Sequence, residues 1–214
     1  MIESKDQKVL PNILSIGAAV PDKVLTNEDL ERMVDTSDEW ITSRTGIKHR
    51  HVLENEETPS SLGVEASREA LGDSPVDPED VDLVVVATNV SDMPIPGSSP
   101  FIVSELGLPG DIPFFDMKAG CSGFLYAIDV AAHMIKGNGY ENILVVGLEA
   151  LSRVVNWEDR STCVLFGDGA GAALIGDRGK RGRILSTSMY GDSSKADLIR
   201  LEGGGTRLPP ADGD

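Results

Sequence analysis

Short apolar runs alternate along the chain with segments of helical periodicity. The runs are rich in Val, Ile, Leu and Phe and are bounded by turn residues, a pattern typical of buried strands. They span residues 81–90, 112–120, 142–150, 162–176 and 183–191. Between them, apolar positions three and four residues apart predict helices over 58–71, 98–106 and 121–136, and a capped helix is predicted earlier, over 26–34. This alternation predicts an α/β fold with a mainly parallel core sheet.

Two glycine-rich stretches are interpreted as connections. The run GDGAGA (167–172) lies between VLF and ALIG, which both have strand character, so we predict a tight hairpin turn there and not a phosphate-binding loop. The segment LEGGGTRLPPADGD (201–214) has no apolar periodicity, and we expect a loop that stops before a further element.

Composition and charge limit the class of protein. The 214 residues are 40% hydrophobic and 25% charged, which suits one globular domain or two small halves. Thirty-five acidic and 19 basic residues give a formal net charge of −16, which argues against a nucleic-acid partner and requires local arginines to hold an anionic ligand. The sequence has neither a long apolar run nor a secretory pattern, so we expect no membrane partner and a cytoplasmic location.

One of the two cysteines stands in a setting that suits a nucleophile. Cys121 follows Gly120 in the segment AGCSGFLYAID and begins a predicted helix, where free backbone N–H groups and the positive dipole end favour a thiolate. The local pattern fits a small buried hydrophobe equally well. Cys163 lies inside the predicted strand TCVLF, and we interpret it as structural.

A nucleophilic thiol usually works with a histidine, and the chain contains three. His133 is excluded because twelve residues of helix separate it from Cys121 by about 18 Å. His49 and His51 alternate on a predicted strand, which favours solvated or ion-paired side chains. The base is therefore one of these two or lies outside the chain.

Three separated segments resemble β-ketoacyl-acyl-carrier-protein synthase III, of the thiolase superfamily. They are VDTSDEWITSRTGIKHRHV (34–52), AGCSGFLYAID (119–129) and EDRSTCVLFGDGAGAALI (158–175). The resemblance implies a thiolase-like α/β fold, in which two similar halves pack as five αβαβα layers. Residues 1–176 would then form the N-terminal half with the nucleophilic cysteine, and residues 177–214 the start of the C-terminal half, ending in a loop.

The resemblance also implies the chemistry. An acyl group passes from acyl-CoA to Cys121 and is then condensed with malonyl-acyl carrier protein with loss of CO2, the initiation of fatty-acid synthesis. The family's partner histidine and asparagine lie in the second half and are not present in this chain. No metal and no permanently bound cofactor are implied. The implied assembly is a homodimer, and a second chain supplying the C-terminal half is a further possibility.

Four residues fall where the family contacts CoA, and a fifth position departs from the family pattern. Thr36, Trp40, Arg44 and Arg160 match the contact positions: an indole can stack on adenine, and guanidinium groups can grip phosphates. The alternatives are a half-buried core aromatic for Trp40 and surface ion pairs for the arginines. Ile95 stands where family members often have a phenylalanine that reaches the partner's acyl pocket, which leaves the acyl preference open.

Two other functions remain open from the sequence alone. The first is a non-catalytic or truncated thiolase-like subunit that binds acyl-CoA or a partner chain. The second is a related CoA-condensing enzyme such as 3-hydroxy-3-methylglutaryl-CoA synthase, whose second substrate differs.

Overall fold

The computed structural model describes residues 10–54, 56–178 and 182–209. Its strands are β1 (Asn12–Ala19), β2 (Val24–Thr26), β3 (His49–His51), β4 (Leu83–Ala87), β5 (Phe114–Met117), β6 (Asn142–Ala150) and β7 (Asp168–Gly176). Its α-helices are α1 (Asn27–Glu31), α2 (Asp38–Thr45), α3 (Pro59–Gly72), α4 (Ser99–Leu106), α5 (Gly123–Asn138) and α6 (Arg160–Cys163). Short 3-10 turns cover Pro78–Asp80, Gly120–Ser122, Leu151–Arg153 and Ser193–Lys195.

Five strands form one sheet in the order β1-β7-β6-β4-β5. β6, β4 and β5 run parallel, whereas β7 is antiparallel to both of its neighbours. The expected α/β class is confirmed, but the expectation of a mainly parallel sheet is wrong, because two of its four strand pairings are antiparallel. The cause is the link between β6 and β7, which carries only short helical turns and returns the chain in the opposite direction instead of crossing the sheet.

At the centre of the sheet both faces are covered, and side chains that alternate along β4 enter two different clusters. Val84 and Val86 of β4 face a core cluster with α3 and α4. Leu83 and Val85 of the same strand face a second cluster with α5. A continuous apolar run such as LVVVA is therefore the sequence of a strand buried on both sides.

The predicted helices are present with small shifts at their ends. Thr26 caps α1 and Thr58 caps α3, each through a capping box, and Gly107 ends α4 in the left-handed conformation. The predicted helix over 121–136 is shifted: α5 begins at Gly123 and ends at Asn138.

Three predictions near the end of the chain are wrong: a hairpin turn over 167–172, a strand position for Cys163 and a strand over 183–191. GDGAGA is not a hairpin turn, because residues 168–176 form one continuous strand that pairs with β6 and β1. Cys163 lies not in a strand but at the end of α6, where the Asp159 carboxylate caps the helix by accepting the Ser161 amide. Within residues 183–191 the only sheet contact is a bridge between Arg183 and Asn12.

A third core cluster lies outside the large sheet, where the small sheet β2-β3 meets α1, α2 and α6. Leu30, Ile41 and Cys163 are fully buried in it, and Trp40 packs against it. The division of the chain at residue 176 stays a prediction. Among the described residues, each helix is too short or too polar to cross a membrane.

Candidate active site

The carboxyl ends of three parallel strands meet at one edge of the sheet. Glu149 is near the end of β6, Asn89 follows β4, and the turn Gly120–Ser122 follows β5. In open α/β sheets this edge is where ligand sites form, because the loops after the strands leave a crevice there.

Cys121 lies in the turn that joins β5 to α5. Gly120 has a φ of 58°, a left-handed conformation that strains other residues, so glycine lets the chain reverse immediately before the cysteine. Cys121 is exposed, and only Ser122 separates it from Gly123, the first residue of α5. The small buried hydrophobe that the local pattern also allowed is therefore wrong for this residue.

A cavity of about 440 Å³ opens at Cys121. Its wall combines apolar side chains such as Phe124 and Leu148 with two polar ones, Asn89 and Glu149. Glycines of β6 and β7 also line it, and a Cβ added at Gly147 would lie 2.8 Å from the Phe124 ring.

The polar side chains of this cavity are joined in a chain of hydrogen bonds. The Glu149 carboxylate accepts the Asn89 amide at 2.8 Å, the Asn89 Nδ2 group at 2.5 Å and the Val90 amide at 3.3 Å. The Asn89 Oδ1 atom accepts the Gly120 amide at 3.2 Å. The residue before Cys121 is thus tied to β4 and β6 through two side chains that the sequence analysis did not single out.

The three histidines lie elsewhere. None of them lines the Cys121 cavity. His133 Nδ1 lies 2.8 Å from the Asp129 carbonyl on α5, and His51 Nδ1 lies 2.6 Å from the Pro21 carbonyl. His49 packs edge-on against His51. The described residues therefore provide no histidine at the thiol.

Trp40, Arg44 and Arg160 form a second polar cluster. The guanidinium carbons of Arg44 and Arg160 lie 4.5 Å and 4.7 Å from the centre of the Trp40 ring system, which is cation–π distance. Arg160 Nη1 also donates to the Asp35 carbonyl at 2.5 Å. Thr36 follows Asp35, and its Oγ1 atom is buried without a hydrogen-bond partner among the described residues.

The structure therefore brings together three of the four residues assigned to CoA contacts and places the fourth beside them. Both structural alternatives also hold in part, since Trp40 packs against the third core cluster and Arg160 lies 3.7 Å from the Asp35 carboxylate. None of the four lines the Cys121 cavity. Ile95 is 85% exposed.

The buried residue Arg50 connects the elements that carry the second cluster, and the sequence analysis did not identify it. Arg50 donates to Asn27 Oδ1 at 2.6 Å and to the Val164 carbonyl, directly after α6. Asn27 in turn donates to Asp38 Oδ1 at 2.7 Å, at the start of α2. The pair thus links the helix of Trp40 and Arg44 to the helix of Arg160, and burial lowers the pKa of Arg50.

Cys163 is buried in the same region, as its structural interpretation requires. Burial raises the pKa of its thiol, and the nearby Asp159 carboxylate raises it further. Among residues 10–54, 56–178 and 182–209, there is no group of three or more His, Cys, Asp or Glu that could hold a metal ion.

Comparison with known proteins places these sites in context. Residues 115–193 match the family described as 3-Oxoacyl-[acyl-carrier-protein (ACP)] synthase III. Beta-ketoacyl-[acyl-carrier-protein] synthase III of Caldanaerobacter subterraneus subsp. tengcongensis is 44% identical over 203 residues, which are 95% of this chain and 61% of the relative. The chain spans about 60% of the length of the curated relatives it matches.

Solved structures show the same likeness. The crystal structure of 3-oxoacyl-[acyl-carrier-protein] synthase III from Aquifex aeolicus matches with a TM-score of 0.82 and 45% identity, over 86% of this chain and 59% of that one. The enzyme of the same name from Pseudomonas aeruginosa matches with a TM-score of 0.83 and 34% identity, over 89% of this chain and 60% of that one. The thiolase-like fold expected from the sequence is confirmed.

Proposed function

The chain belongs to the 3-oxoacyl-[acyl-carrier-protein] synthase III family, and from this premise we propose that Cys121 accepts an acyl group from acyl-CoA, which the complete protein condenses with malonyl-acyl carrier protein. The observation that carries the proposal is the position of Cys121: an exposed thiol in a cavity at the shared carboxyl edge of three parallel strands.

The first half-reaction needs a thiolate and a stabilised oxyanion. The Cys121 sulfur attacks the thioester carbonyl, the tetrahedral intermediate collapses, and CoA leaves as a thiolate that takes up the proton lost by Cys121. The first N–H groups of α5 have no partner within the helix and begin two residues after Cys121. Their dipoles favour negative charge on the sulfur and on the oxyanion.

The second half-reaction requires groups beyond this chain. Malonyl-acyl carrier protein loses CO2, the resulting enolate carbon attacks the Cys121 thioester, and the cysteine leaves as a thiolate. Because none of the three histidines lines the cavity, we assign the histidine and asparagine of this step to the part of the protein outside residues 1–214. We further propose a homodimer and a cytoplasmic location.

We assign CoA to the second cluster. Its adenine would stack on Trp40 in place of one guanidinium group, and Arg44 and Arg160 would bind its phosphates. Rotation of the Thr36 side chain would bring its buried, unpartnered hydroxyl to the ligand. Local arginines are needed because the chain as a whole carries a net charge of −16.

Two alternatives are weaker. Curated relatives that are 42–46% identical are named synthase III, which favours a carrier-protein substrate over that of 3-hydroxy-3-methylglutaryl-CoA synthase. A non-catalytic chain that only binds acyl-CoA or a partner chain is favoured by one observation, the absence of a histidine from the cavity. The following experiment separates it from the enzyme.

The test is intact-protein mass spectrometry of the natural, full-length protein after incubation with acetyl-CoA. We expect an acetyl adduct on Cys121, located by peptide mapping, because Cys121 is exposed and Cys163, the other cysteine of residues 1–214, is buried. Cys121→Ala should abolish the adduct, and the matched control Cys163→Ala should keep it. The absence of an adduct on the wild-type protein, or its loss in Cys163→Ala alone, would contradict the proposal.

A further inference from the structure

We propose that Glu149 is a positioning residue for the nucleophile, acting through Asn89 on the turn that carries Cys121. The inference rests on the proposed function of Cys121 and deepens it. Glu149 does not bond to the thiol in this arrangement; it binds Asn89, and Asn89 binds Gly120.

The Glu149 carboxylate makes several hydrogen bonds in this link. Glu149 accepts two backbone amides and one side-chain amide from the segment that follows β4. These bonds satisfy three donors at a half-buried site and fix the rotation of the Asn89 side chain, so that its oxygen faces the Gly120 amide. Asn89 can therefore hold Gly120 only while Glu149 orders its amide group.

The position of the link explains why it matters for chemistry. The turn Gly120–Ser122 contains a left-handed glycine and has no side-chain cap of its own. A misplacement of about 1 Å at a reacting group can reduce a rate by about a hundredfold. A turn that must present a sulfur to a thioester needs such support, and the described residues supply it from β4 and β6.

The opposite edge of the sheet offers a matched control. The Asp82 carboxylate precedes β4 and accepts the Glu141 amide at 2.7 Å and the Asn142 amide at 2.8 Å, at the start of β6. Asp82 and Glu149 thus join the same two strands by the same kind of bond, but only Glu149 lies at the Cys121 cavity.

We choose substitutions at Glu149 and Asn89 that change which side chain donates and which accepts the hydrogen bond between them. Both Asn89 donors bond to Glu149 Oε1 and the Val90 amide bonds to Oε2, so in Glu149→Gln the bond to Val90 is lost. The two bonds to Asn89 are weakened because the acceptor is no longer charged. In Asn89→Asp, two carboxylates face each other and repel. The double variant Glu149→Gln with Asn89→Asp restores a donor–acceptor pair between the side chains and keeps an acceptor for the Gly120 amide, so it should rescue both single changes.

The experiment combines hydrogen exchange with single-turnover acylation by acetyl-CoA in the full-length protein. In each single variant we expect faster exchange of the Gly120 amide, acylation of Cys121 slowed by about tenfold or more, and unchanged CoA affinity. Asp82→Asn should speed exchange only at Glu141 and Asn142 and leave acylation at the wild-type rate.

The results test the positioning role of Glu149 separately from the proposed acylation of Cys121. Unchanged Gly120 exchange in both single variants, the same acylation loss in Asp82→Asn, or a double variant slower than either single variant would overturn it. If the wild-type protein is not acylated, the proposed function fails, and the exchange of the Gly120 amide alone still decides whether Glu149 holds the turn.

Discussion

Trp40 takes part both in core packing and in a cation–π cluster. One part of it rests on the third core cluster, while the guanidinium groups of Arg44 and Arg160 lie over its rings. An aromatic ring that already attracts two cations is suited to a ligand that combines a flat base with phosphates.

Removal of either arginine should therefore weaken CoA binding. We expect Arg44→Ala and Arg160→Ala each to reduce affinity by about tenfold, the size of one charge-assisted contact. The effect should be larger at low salt, because screening weakens exposed charges. Isothermal titration at two salt concentrations measures it. Arg68→Ala, which removes an exposed arginine paired with Glu105, is the control, and unchanged affinity in both test variants would remove them from the site.

The buried thiol of Cys163 predicts how the free energy of unfolding depends on pH. Burial holds the pKa of its thiol above the usual 9.0 in the folded protein, so the unfolded chain loses this proton first as pH rises. The contribution of the neutral thiol is complete below pH 9 and is lost as pH rises through the alkaline range.

The free energy of unfolding should consequently fall as pH rises above the usual thiol pKa of 9.0, and less steeply in Cys163→Ala than in the wild type. Urea unfolding at several pH values measures both slopes. Equal slopes would show that this thiol does not titrate differently on folding.

At the residue scale, the sequence predicts the turn and helix start at Cys121 better than the buried residues that support the second cluster. The glycine before Cys121 and the following helical pattern are local signals. Arg50 lacks such a signal, because its partners Asn27 and Val164 are distant in sequence. The alternation in KHRHV nevertheless places Arg50 on the opposite face of β3 from the two histidines, which hints at an inward orientation.

At the scale of elements, helices are predicted more accurately than strands. Capping residues and periodicity mark α1, α3 and α4 within a few residues. The prediction for β7 is wrong because its glycine-rich sequence is typical of a turn. The strand forms nevertheless, since it pairs with β6 on one side and β1 on the other. β1 itself was not predicted, since its residues NILSIGAA mix apolar and small polar positions without a clear period.

The close approach of β1 to α3 at Gly17 allows a direct test of how the two elements pack. A methyl group added at Gly17 would lie 2.2 Å from the Ala66 carbonyl oxygen and 2.6 Å from the Ala70 nitrogen. Both are backbone atoms of α3 and cannot rotate away, so the helix would have to move off the sheet.

We expect Gly17→Ala to destabilise the protein by about 3 kcal/mol or more, at the upper end for overpacking. Gly72→Ala is the control, because nothing lies within 4 Å of the added methyl at the end of the same helix. Chemical denaturation compares the two. A loss in Gly17→Ala no larger than in Gly72→Ala would contradict the packing described for β1.

At the scale of the whole molecule, the described residues after β7 add little to the core. Leu185, Leu198 and Ile199 are exposed, and no strand follows Gly176 within residues 182–209. The sequence predicted a boundary at this residue from the family resemblance, and that boundary stays a prediction. The antiparallel direction of β7 could not be predicted from the sequence, because it depends on how the link between β6 and β7 folds back.

The pairing of β1 with β7 has a consequence for synthesis of the protein. Asn12 lies opposite Gly176, so β1 is synthesised well before β7, the strand with which it pairs. At about 5–20 residues per second, this interval lasts roughly ten to thirty seconds. The earlier arrival of α3 covers only one face of β1 and leaves its hydrogen-bonding edges open. The pace of translation between α3 and β7 therefore sets how long the nascent chain presents a strand to other chains.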